Sequence, residues 1–415
     1  MYAHRYPTRR VPALVIHGGA GSISRANLPR SSPQYAAYVL SLRAILAAIY
    51  PLLVSGASAL DAATAAVRLF EDNPLFNAGK GAVFNSAGGN ELEASVMVSR
   101  GAQKRGVGVE LLTRVKNPIM LAKELLMRQE REESAPRQET TRHNCISGRE
   151  AERLAEVWGC EIVDEGYFYT DKRWQEHLRG LKQHGRGVGL AEPVGFDEEE
   201  EEENEELHEY LPQGTVGCVA LDIYGTLCVA TSTGGLTNKI PGRIGDTPTL
   251  GAGFWAEEWQ VPVSPPRTPV DRSWAGWIFA ICFSRAPIET GDHSGEKQSL
   301  LFPSTERRET RAVALSGTGN GDYFLRLAAA HSVAARCRFG GMDLQSATEE
   351  MVGVDGEMQK SAGGRWGMGD GEGGFIGIDE KGKVVMVMNC GGMFRGYIDD
   401  DGKARVGVFR DEEET

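Results

Sequence analysis

Gly214-Thr215 is the dipeptide with the most chemistry to offer in this sequence, standing where an acidic run ends and an apolar run, Val216 to Leu221, begins. Glycine has no side chain, so a nucleophile can approach its carbonyl closely and the backbone there can take strained angles. A cut between the two residues would leave Thr215 with a free α-amine beside its own hydroxyl. An amine with a reference pKa near ~8 can serve as a general base at neutral pH. Nucleophile and base would then share one residue, and the β-branch of threonine would restrict the rotamer that aims the hydroxyl.

A second hydroxyl follows from symmetry. Thr215 to Leu221 and Leu227 to Ser232 read as two strands joined by the turn Asp222-Ile223-Tyr224-Gly225. A hairpin centred on Tyr224 sets Thr215 opposite Thr233, and directly opposed residues have Cβ atoms roughly 4.5–5.5 Å apart. Thr233 would thus lie beside the nucleophile. Paired threonines are also ordinary hairpin residues, so spacing alone leaves both readings open. The first strand is apolar or small on both faces, with Val216, Cys218 and Ala220 on one and Gly217, Val219 and Leu221 on the other. Such a strand belongs in the middle of a layered core.

The remaining elements must position this pair. Ala13 to Ile16 reads as a buried strand ending in the glycine-rich turn His17-Gly18-Gly19-Ala20-Gly21. Residues 35–54 read as a helix, and a second runs from Ser58, where Ser58 and Asp61 resemble a capping box, to about Phe70. Pro74 and Gly79 mark an irregular segment. Residues 118–131 and 149–158 are helical in pattern. Val313 to Leu315 leads into Ser316-Gly317-Thr318-Gly319-Asn320-Gly321 and a helix over 322–337, and Phe375–Ile378 with Val384–Asn389 forms a hairpin around Glu380-Lys381-Gly382. Residues 171–213 open with helical polar sequence, which gives way to Gly185, Gly187 and Gly189 and then to the acidic run; the stretch reads as a surface linker, mobile over about 185–213. Residues 257–310, polar and Pro-rich around the apolar Trp274 to Phe283, read as an insertion.

Bulk properties narrow the function. The chain has 415 residues, 41% hydrophobic and 25% charged, with 52 glycines and a net charge of −12. Ten carboxylates and no Lys or Arg lie between Asp197 and Glu209, so the rest is close to neutral. No basic face points to nucleic acid. Seven scattered cysteines argue against a disulfide framework and fit a reducing compartment, and neither CxxC nor HxxxH suggests zinc. Three Arg in the first ten residues precede no apolar segment, so no secretory signal is expected. The greasy stretch Tyr38 to Leu53, interrupted by Arg43 and Pro51, reads as too short for a membrane span. The expected location is the cytoplasm.

The motifs, taken together, resemble the plant-type L-asparaginase and isoaspartyl-peptidase family, threonine hydrolases of the N-terminal-nucleophile kind. Gly214-Thr215-Val216-Gly217, Thr231-Ser232-Thr233-Gly234-Gly235, Asn238-Lys239 and Gly242-Arg243-Ile244-Gly245-Asp246 carry the resemblance. So do His17 to Gly21, Phe76 to Phe84, Glu91 to Met97, Thr318 to Asp322 and Met393 to Tyr397. The likeness covers most of 13–132, 145–180, 213–256 and 311–408. It implies an α/β four-layer αββα sandwich that cuts itself before Thr215 into an α subunit, 1–214, and a β subunit, 215–415, of one catalytic domain. Two αβ units would pair as a homodimer.

The resemblance further implies roles. Thr215 attacks the side-chain amide of asparagine or a β-aspartyl dipeptide, passing through an acyl-enzyme to release aspartate, with Thr233 supporting its hydroxyl and Asn77 nearby. The Thr318 hydroxyl and Gly319 amide form the oxyanion hole. Arg243 holds the substrate α-carboxylate, and Asp246, with the Gly321 carbonyl, the α-ammonium. No organic cofactor is implied, but a structural sodium ion is, on the backbone carbonyls of Phe70, Glu71, Asn73, Phe76, Ala78 and Lys80. The chain departs from the family pattern at Gln213, at Asp322 in place of a usual Glu, at Cys390-Gly391-Gly392, in the acidity of its linker and in its insertion.

Rival readings remain. A threonine aspartase cleaving proteins after Asp would share nucleophile and fold, but Asp246 and Thr318 favour a free amino-acid pocket. Glycosylasparaginases usually carry Asp-Thr-Ile-Gly at the nucleophile. Nucleotide binding by Gly317-Thr318-Gly319-Asn320-Gly321 meets the wrong spacing, GxGxG. Against a homologue that never cleaves itself and only binds, the sequence keeps every group named above.

Overall fold

Each strand of the Thr215 hairpin is buried along its whole length, which requires cover on both faces. The computed structural model supplies that cover. It describes residues 10–133, 143–188, 214–262, 308–412 and 414. In chain order the strands are β1 (Ala13–Gly21), β2 (Leu92–Val98), β3 (Gly106–Leu112), β4 (Cys145–Ser147), β5 (Val216–Leu221), β6 (Leu227–Thr233), β7 (Phe254–Pro262), β8 (Arg308–Gly319), β9 (Gly373–Asp379), β10 (Val384–Met388), β11 (Gly392–Ile398) and β12 (Ala404–Phe409). The helices are α1 (Pro33–Ser55), α2 (Ala59–Glu71), α3 (Pro118–Glu133), α4 (Gly148–Val157), α5 (Asp171–Val188), α6 (Gly321–Leu327), α7 (Ala329–Gly340), α8 (Leu344–Val352) and α9 (Glu357–Ala362).

The strands form a mixed eight-stranded sheet, ordered β12-β11-β1-β5-β6-β2-β3-β4, and a four-stranded sheet, ordered β10-β9-β8-β7. The α/β class is as expected. One apolar cluster joins α1 to α4 to one face of the larger sheet through Val216, Cys218, Ala220, Ala230 and Val96. A second joins the opposite face, through Val15, Val219, Leu221 and Val229, to Ala314, Ile376, Ile378 and Phe254 of the smaller sheet. A third buries Val313, Leu315 and Phe375 against α6 to α9. Alternate side chains of β5 therefore enter different cores, as its two-sided apolar sequence requires.

The hairpin register is the expected one. Val216 pairs with Ser232 and Leu221 with Leu227, antiparallel about Tyr224. The later hairpin likewise pairs Phe375 with Val387 and Ile378 with Val384. Ser58 caps α2, its Oγ accepting from Asp61 N at 3.1 Å. Asp222 ties turn to helix: Oδ2 accepts from Ala59 N at 3.0 Å, and Oδ1 from Tyr224 N and Thr226 N, both at 2.9 Å.

Three expectations need correction. The stretch read as a linker opens with α5; the helical pattern ahead of Gly185 is borne out, and its place in a linker is not. Its polar sequence conceals a fully buried Arg173, whose Nε donates to Gly81 O at 2.7 Å and whose Nη1 donates to Glu176 at 2.8 Å. The acidic run, 197–209, lies outside the described residues. Strand β7 runs into the expected insertion as far as Pro262, and β8 begins at Arg308; the apolar patch at 274–283 is likewise outside the described residues. The expected helix over 322–337 is two helices, split where Ala328 takes φ 45°.

Helix α1 runs unbroken through Arg43 and Pro51 and is, by length and composition, long enough to cross a membrane. Its Tyr38, Leu42, Ile45, Leu46, Ile49 and Leu53 are buried in the core beside β1, β11 and β12, which is how a core helix of that composition is used. By contacts the chain divides into Met1–Trp259 with Ala312–Thr415, and Gln260–Arg311. Within the latter, Gln260 Nε2 donates to Thr310 Oγ1 at 2.7 Å.

Candidate active site

The site begins where β5 begins. Thr215 is 6% exposed and precedes the first strand residue, held by the hairpin register above. Gly214, just before it, lies against the end of β8 from the other sheet. A Cβ on Gly214 would stand 2.3 Å from Thr318 Oγ1 and 3.2 Å from Gly319 N. The glycine-rich turn after β1 closes the other side: a Cβ on Gly19, whose φ is +117°, would stand 3.0 Å from Gly214 N. Only glycines allow backbones this close. Thr318 Oγ1 is buried without a hydrogen-bond partner, so it is a free donor beside the Gly214 backbone. Gly319 takes φ +139°, and a Cβ there would strike Glu372 O at 2.4 Å.

One polar bond joins the sheets beneath this point. His17 Nε2 lies 2.6 Å from Ser316 Oγ, and both side chains are fully buried. Burial drives the His17 pKa down to about 3, with the nearby Thr215 backbone opposing the shift, so the ring is neutral and serves as a hydrogen-bonding group. Gly217 makes room for the pair.

Around Thr215 the structure partly rearranges the expected contacts. Its Oγ1 is 2.7 Å from Thr247 Oγ1, a residue that hairpin symmetry could not reveal because it sits in a loop. Thr233, across the hairpin mouth, is also buried, and its Oγ1 accepts from Gly235 N at 3.0 Å. Asn77 lies next to Thr233: its O accepts from Gly234 N at 3.1 Å, its Oδ1 from Val83 N at 3.0 Å, and its Nδ2 donates to Gly235 O at 2.8 Å.

Arg243, Asp246 and Gly321 converge as expected. A Cβ on Gly321 would stand 2.2 Å from Asp246 Oδ1 and 3.4 Å from Arg243 Nη2. Asp246 Oδ2 is buried and unpartnered. Burial pushes the Asp246 pKa up to about 7; a backbone hydrogen bond and Arg243 lower it, and Glu93 and Asp322 raise it. Arg243 Nη2 donates to Asp322 Oδ1 at 3.0 Å, so the Asp that departs from the family pattern holds the guanidinium. Behind them Glu93 accepts from Gly245 N at 3.2 Å and stands 3.8 Å from Lys239 Nζ, both side chains fully buried. The sequence reading did not single out this pair. Its only visible signal was the presence of Glu93 and Lys239 within matched motifs.

The carbonyls expected to hold sodium belong to the end of α2 and the irregular segment after it. Phe76 O and Glu71 O stand 2.2 and 2.3 Å from where Cβ atoms of Gly81 and Gly79 would be. Lys80 Nζ points away, donating to Tyr167 O. Among the described residues no cluster of His, Cys, Asp or Glu could hold a metal ion.

This is an α/β protein whose two sheets meet beside the buried hydroxyls of Thr215, Thr233, Thr247 and Thr318, with Asp246 and Arg243 nearby. A family model described as asparaginase matches residues 10–265 and 308–408. The chain is 34% identical over 404 residues to the isoaspartyl peptidase of Escherichia coli (strain K12), covering 97% of each chain. It is 31% identical to a putative isoaspartyl peptidase/L-asparaginase of Dictyostelium discoideum, covering 93% of this chain and 92% of that one. A probable isoaspartyl peptidase/L-asparaginase of Arabidopsis thaliana is 29% identical over 96% of this chain and 98% of its own. The chain belongs to the asparaginase family of amidohydrolases. Residues 266–307 fall between the two matched segments, in the stretch read as an insertion.

The packing under Thr215 makes a direct prediction. A Cβ at Gly217 would fall 2.1 Å from Ser316 Oγ and 2.4 Å from His17 Nε2. Gly217→Ala should therefore break the bond between the sheets and destabilise the fold by about 1–3 kcal/mol. The check is a lowered midpoint in urea unfolding; an unchanged midpoint would show that the pair is slack.

Proposed function

We propose that this chain is a self-cleaving amidohydrolase that splits the side-chain amide of L-asparagine and the β-aspartyl bond of isoaspartyl dipeptides, releasing L-aspartate. The observation that carries the reading is the seating of the Gly214 backbone against the unpartnered Thr318 hydroxyl and the Gly319 amide, with the Thr215 hydroxyl next in the chain. The names of the relatives supply the substrate class.

In maturation, Thr215 Oγ1 bonds to the Gly214 carbonyl carbon and its proton passes to the departing Thr215 nitrogen. Collapse breaks the C–N bond and leaves Gly214 esterified to Thr215. Water hydrolyses the ester, giving a Gly214 carboxylate and a free Thr215 amine and hydroxyl. In turnover that amine takes the hydroxyl proton as Oγ1 attacks the substrate amide. The oxyanion is held by Thr318 Oγ1 and Gly319 N. The leaving ammonia or amino acid takes the proton, and water releases aspartate from the ester. Thr233 supports the nucleophile from across the hairpin, and Asn77 fixes that side of the mouth.

Arg243 suits the substrate α-carboxylate because its fork accepts a planar anion. Asp246 and the Gly321 carbonyl suit the α-ammonium. The unpartnered Asp246 Oδ2 argues against the protein-cleaving alternative, since an aspartate within a peptide chain has no α-ammonium to offer it. The three alternating cores support a four-layer αββα sandwich. Pairing of two αβ units is part of the reading, checked by the mass in sedimentation equilibrium. So is a cytoplasmic location, to be checked by fractionation; the six free cysteines among the described residues fit it.

Three tests follow. Denaturing electrophoresis should give two fragments, 1–214 and 215–415, the second beginning Thr-Val-Gly-Cys, while Thr215→Ala should stay whole and inert. An intact but active wild-type chain would end the mechanism. The second test is pH. Asp246 must lose its proton to hold a cation, so binding fails as pH falls through about 7. The Thr215 amine must also be neutral, so log kcat/KM should rise with a slope of about two below pH 7. Asp246→Asn should leave a slope of about one with a raised KM; an unchanged slope removes Asp246 from substrate binding. The third concerns sodium. All six donors are backbone oxygens, a set suited to a hard monovalent cation, and glycines crowd two of them as a tight cradle requires. The ion would supply positive charge there and fix the loop that carries Asn77. Exchanging sodium for tetramethylammonium at equal ionic strength should lower the melting temperature; equal midpoints would rule the site out.

A further inference from the structure

The hydroxyl nearest the nucleophile is one that the proposed chemistry does not use. Thr247 Oγ1 lies 2.7 Å from Thr215 Oγ1, and Thr247 is 1% exposed. The residue is itself fixed. Its carbonyl accepts from Ser95 Oγ at 2.7 Å and from Thr231 Oγ1 at 3.3 Å, so β2 and β6 both anchor it. Asp246 is its neighbour in the chain, and the Asp246 carbonyl accepts from Thr249 N and Gly253 N, both at 3.1 Å. One short, pinned turn thus carries both the buried acid and the hydroxyl that meets Thr215.

We infer that Thr247 is a positioning residue for the Thr215 hydroxyl, aiming it at the Gly214 carbonyl during self-cleavage and at the substrate amide during turnover. This rests on the proposed Thr215 mechanism and adds to it. Either oxygen can donate in the pair. When Thr215 donates, its hydroxyl rotor is held while the proton awaits transfer. When Thr247 donates, its proton faces the oxygen that gains negative charge as Thr215 is deprotonated. Both arrangements favour one orientation of a group that would otherwise rotate, and misaiming a nucleophile by about 1 Å can cost on the order of a hundredfold in rate. Because Asp246 precedes Thr247 directly, the seat of the substrate ammonium and the aim of the nucleophile are set by one backbone.

The test compares Thr247→Val, which keeps the shape and removes the hydroxyl, with Thr247→Ser, which keeps the hydroxyl. Two rates are read on the full chain: conversion to the 1–214 and 215–415 fragments on denaturing gels, and kcat and KM for asparagine per cleaved molecule. For Thr247→Val we expect both self-cleavage and kcat to fall about ten- to a hundredfold, with KM within about twofold because Asp246 stays in place. Thr247→Ser should stay within about threefold of wild type in all three. Should the valine variant lack a cooperative melting transition, Thr247→Ala carries the same comparison. Wild-type rates in the hydroxyl-free variant overturn the inference. So does a loss in which KM rises along with the fall in kcat and serine gives no rescue, since that marks a collapsed turn. A wild-type chain that never cleaves overturns the Thr215 mechanism itself, a separate outcome from a cleaving wild type with an equally fast Thr247→Val.

Discussion

The antiparallel register of β5 on β6 is the constraint from which the rest of the site follows, and α2 clamps it at both ends. At the helix N-terminus, Asp222 of the hairpin turn accepts from Ala59 N. At the C-terminus, Glu71 Oε1 accepts from Ser232 Oγ at 2.7 Å and from Ile119 N at 3.0 Å. Burial pushes the Glu71 pKa up to about 8, so its carboxyl keeps its proton at neutral pH and acts as a hydrogen-bonding group. A slip of one residue would turn every side chain of β5 to the wrong core. It would also carry Gly214 and Thr215 away from the end of β8. Register, helix clamp and the two-sided apolar sequence thus specify one placement of Thr215, the proposed nucleophile.

The second constraint is close approach. Gly214, Gly217, Gly319 and Gly321 each stand where a methyl group would strike a neighbouring polar atom: Thr318 Oγ1, Ser316 Oγ, the Glu372 carbonyl and Asp246 Oδ1 respectively. The glycine content is therefore a spatial requirement of this pocket as much as a turn-forming device. Around it, buried charge is kept tolerable by pairing. Glu93 faces Lys239 and the Gly245 amide; nearer solvent, Arg243 faces the half-exposed Asp322. A buried pair of this kind adds little net stability, but it fixes the loop that presents Asp246 and Thr247.

How much of this the sequence disclosed depended on whether a feature was local. The β5–β6 and β9–β10 registers were legible because apolar runs flank turns whose centres can be counted. The Ser58 cap was legible because its partners are three residues apart. Strand β2 was not read as a strand although Leu92, Ala94, Val96 and Val98 alternate with Glu93, Ser95 and Met97; Glu93, an acid on a strand buried on both faces, finds its partners in the distant Lys239 and Gly245 segment. Helix α5 was legible as helical polar sequence but not as part of the fold, because the stretch carries too little apolar surface to order itself. What orders it is a distant interaction, Arg173 with the carbonyl of Gly81, together with Trp174 packed edge-on against Phe84 at 5.1 Å. The break at Ala328 has no glycine or proline to announce it. Arg243 and Asp246 came from motif resemblance, since an Arg and an Asp three apart in a loop otherwise suggest a surface ion pair. Thr247 is the opposite case, an ordinary threonine until folding brings it to a hydroxyl 32 positions earlier.

Two buried atoms, Thr318 Oγ1 and Asp246 Oδ2, are left without partners on either side of Thr215. An unsatisfied buried polar group costs about 1–3 kcal/mol, more when charged, and folding alone offers no return for it. In the proposed reaction the cost is recovered when an oxyanion meets Thr318 and an ammonium meets Asp246, because each then gains a partner without having to shed a competing one. Asp246 sharpens the point, since a pKa of about 7 leaves the acid half-neutral until a cation arrives to stabilise its charge. The fold thus holds its donor and its acceptor unspent at fixed positions, and preorganisation of that kind favours the charge distribution of a reacting amide over that of water.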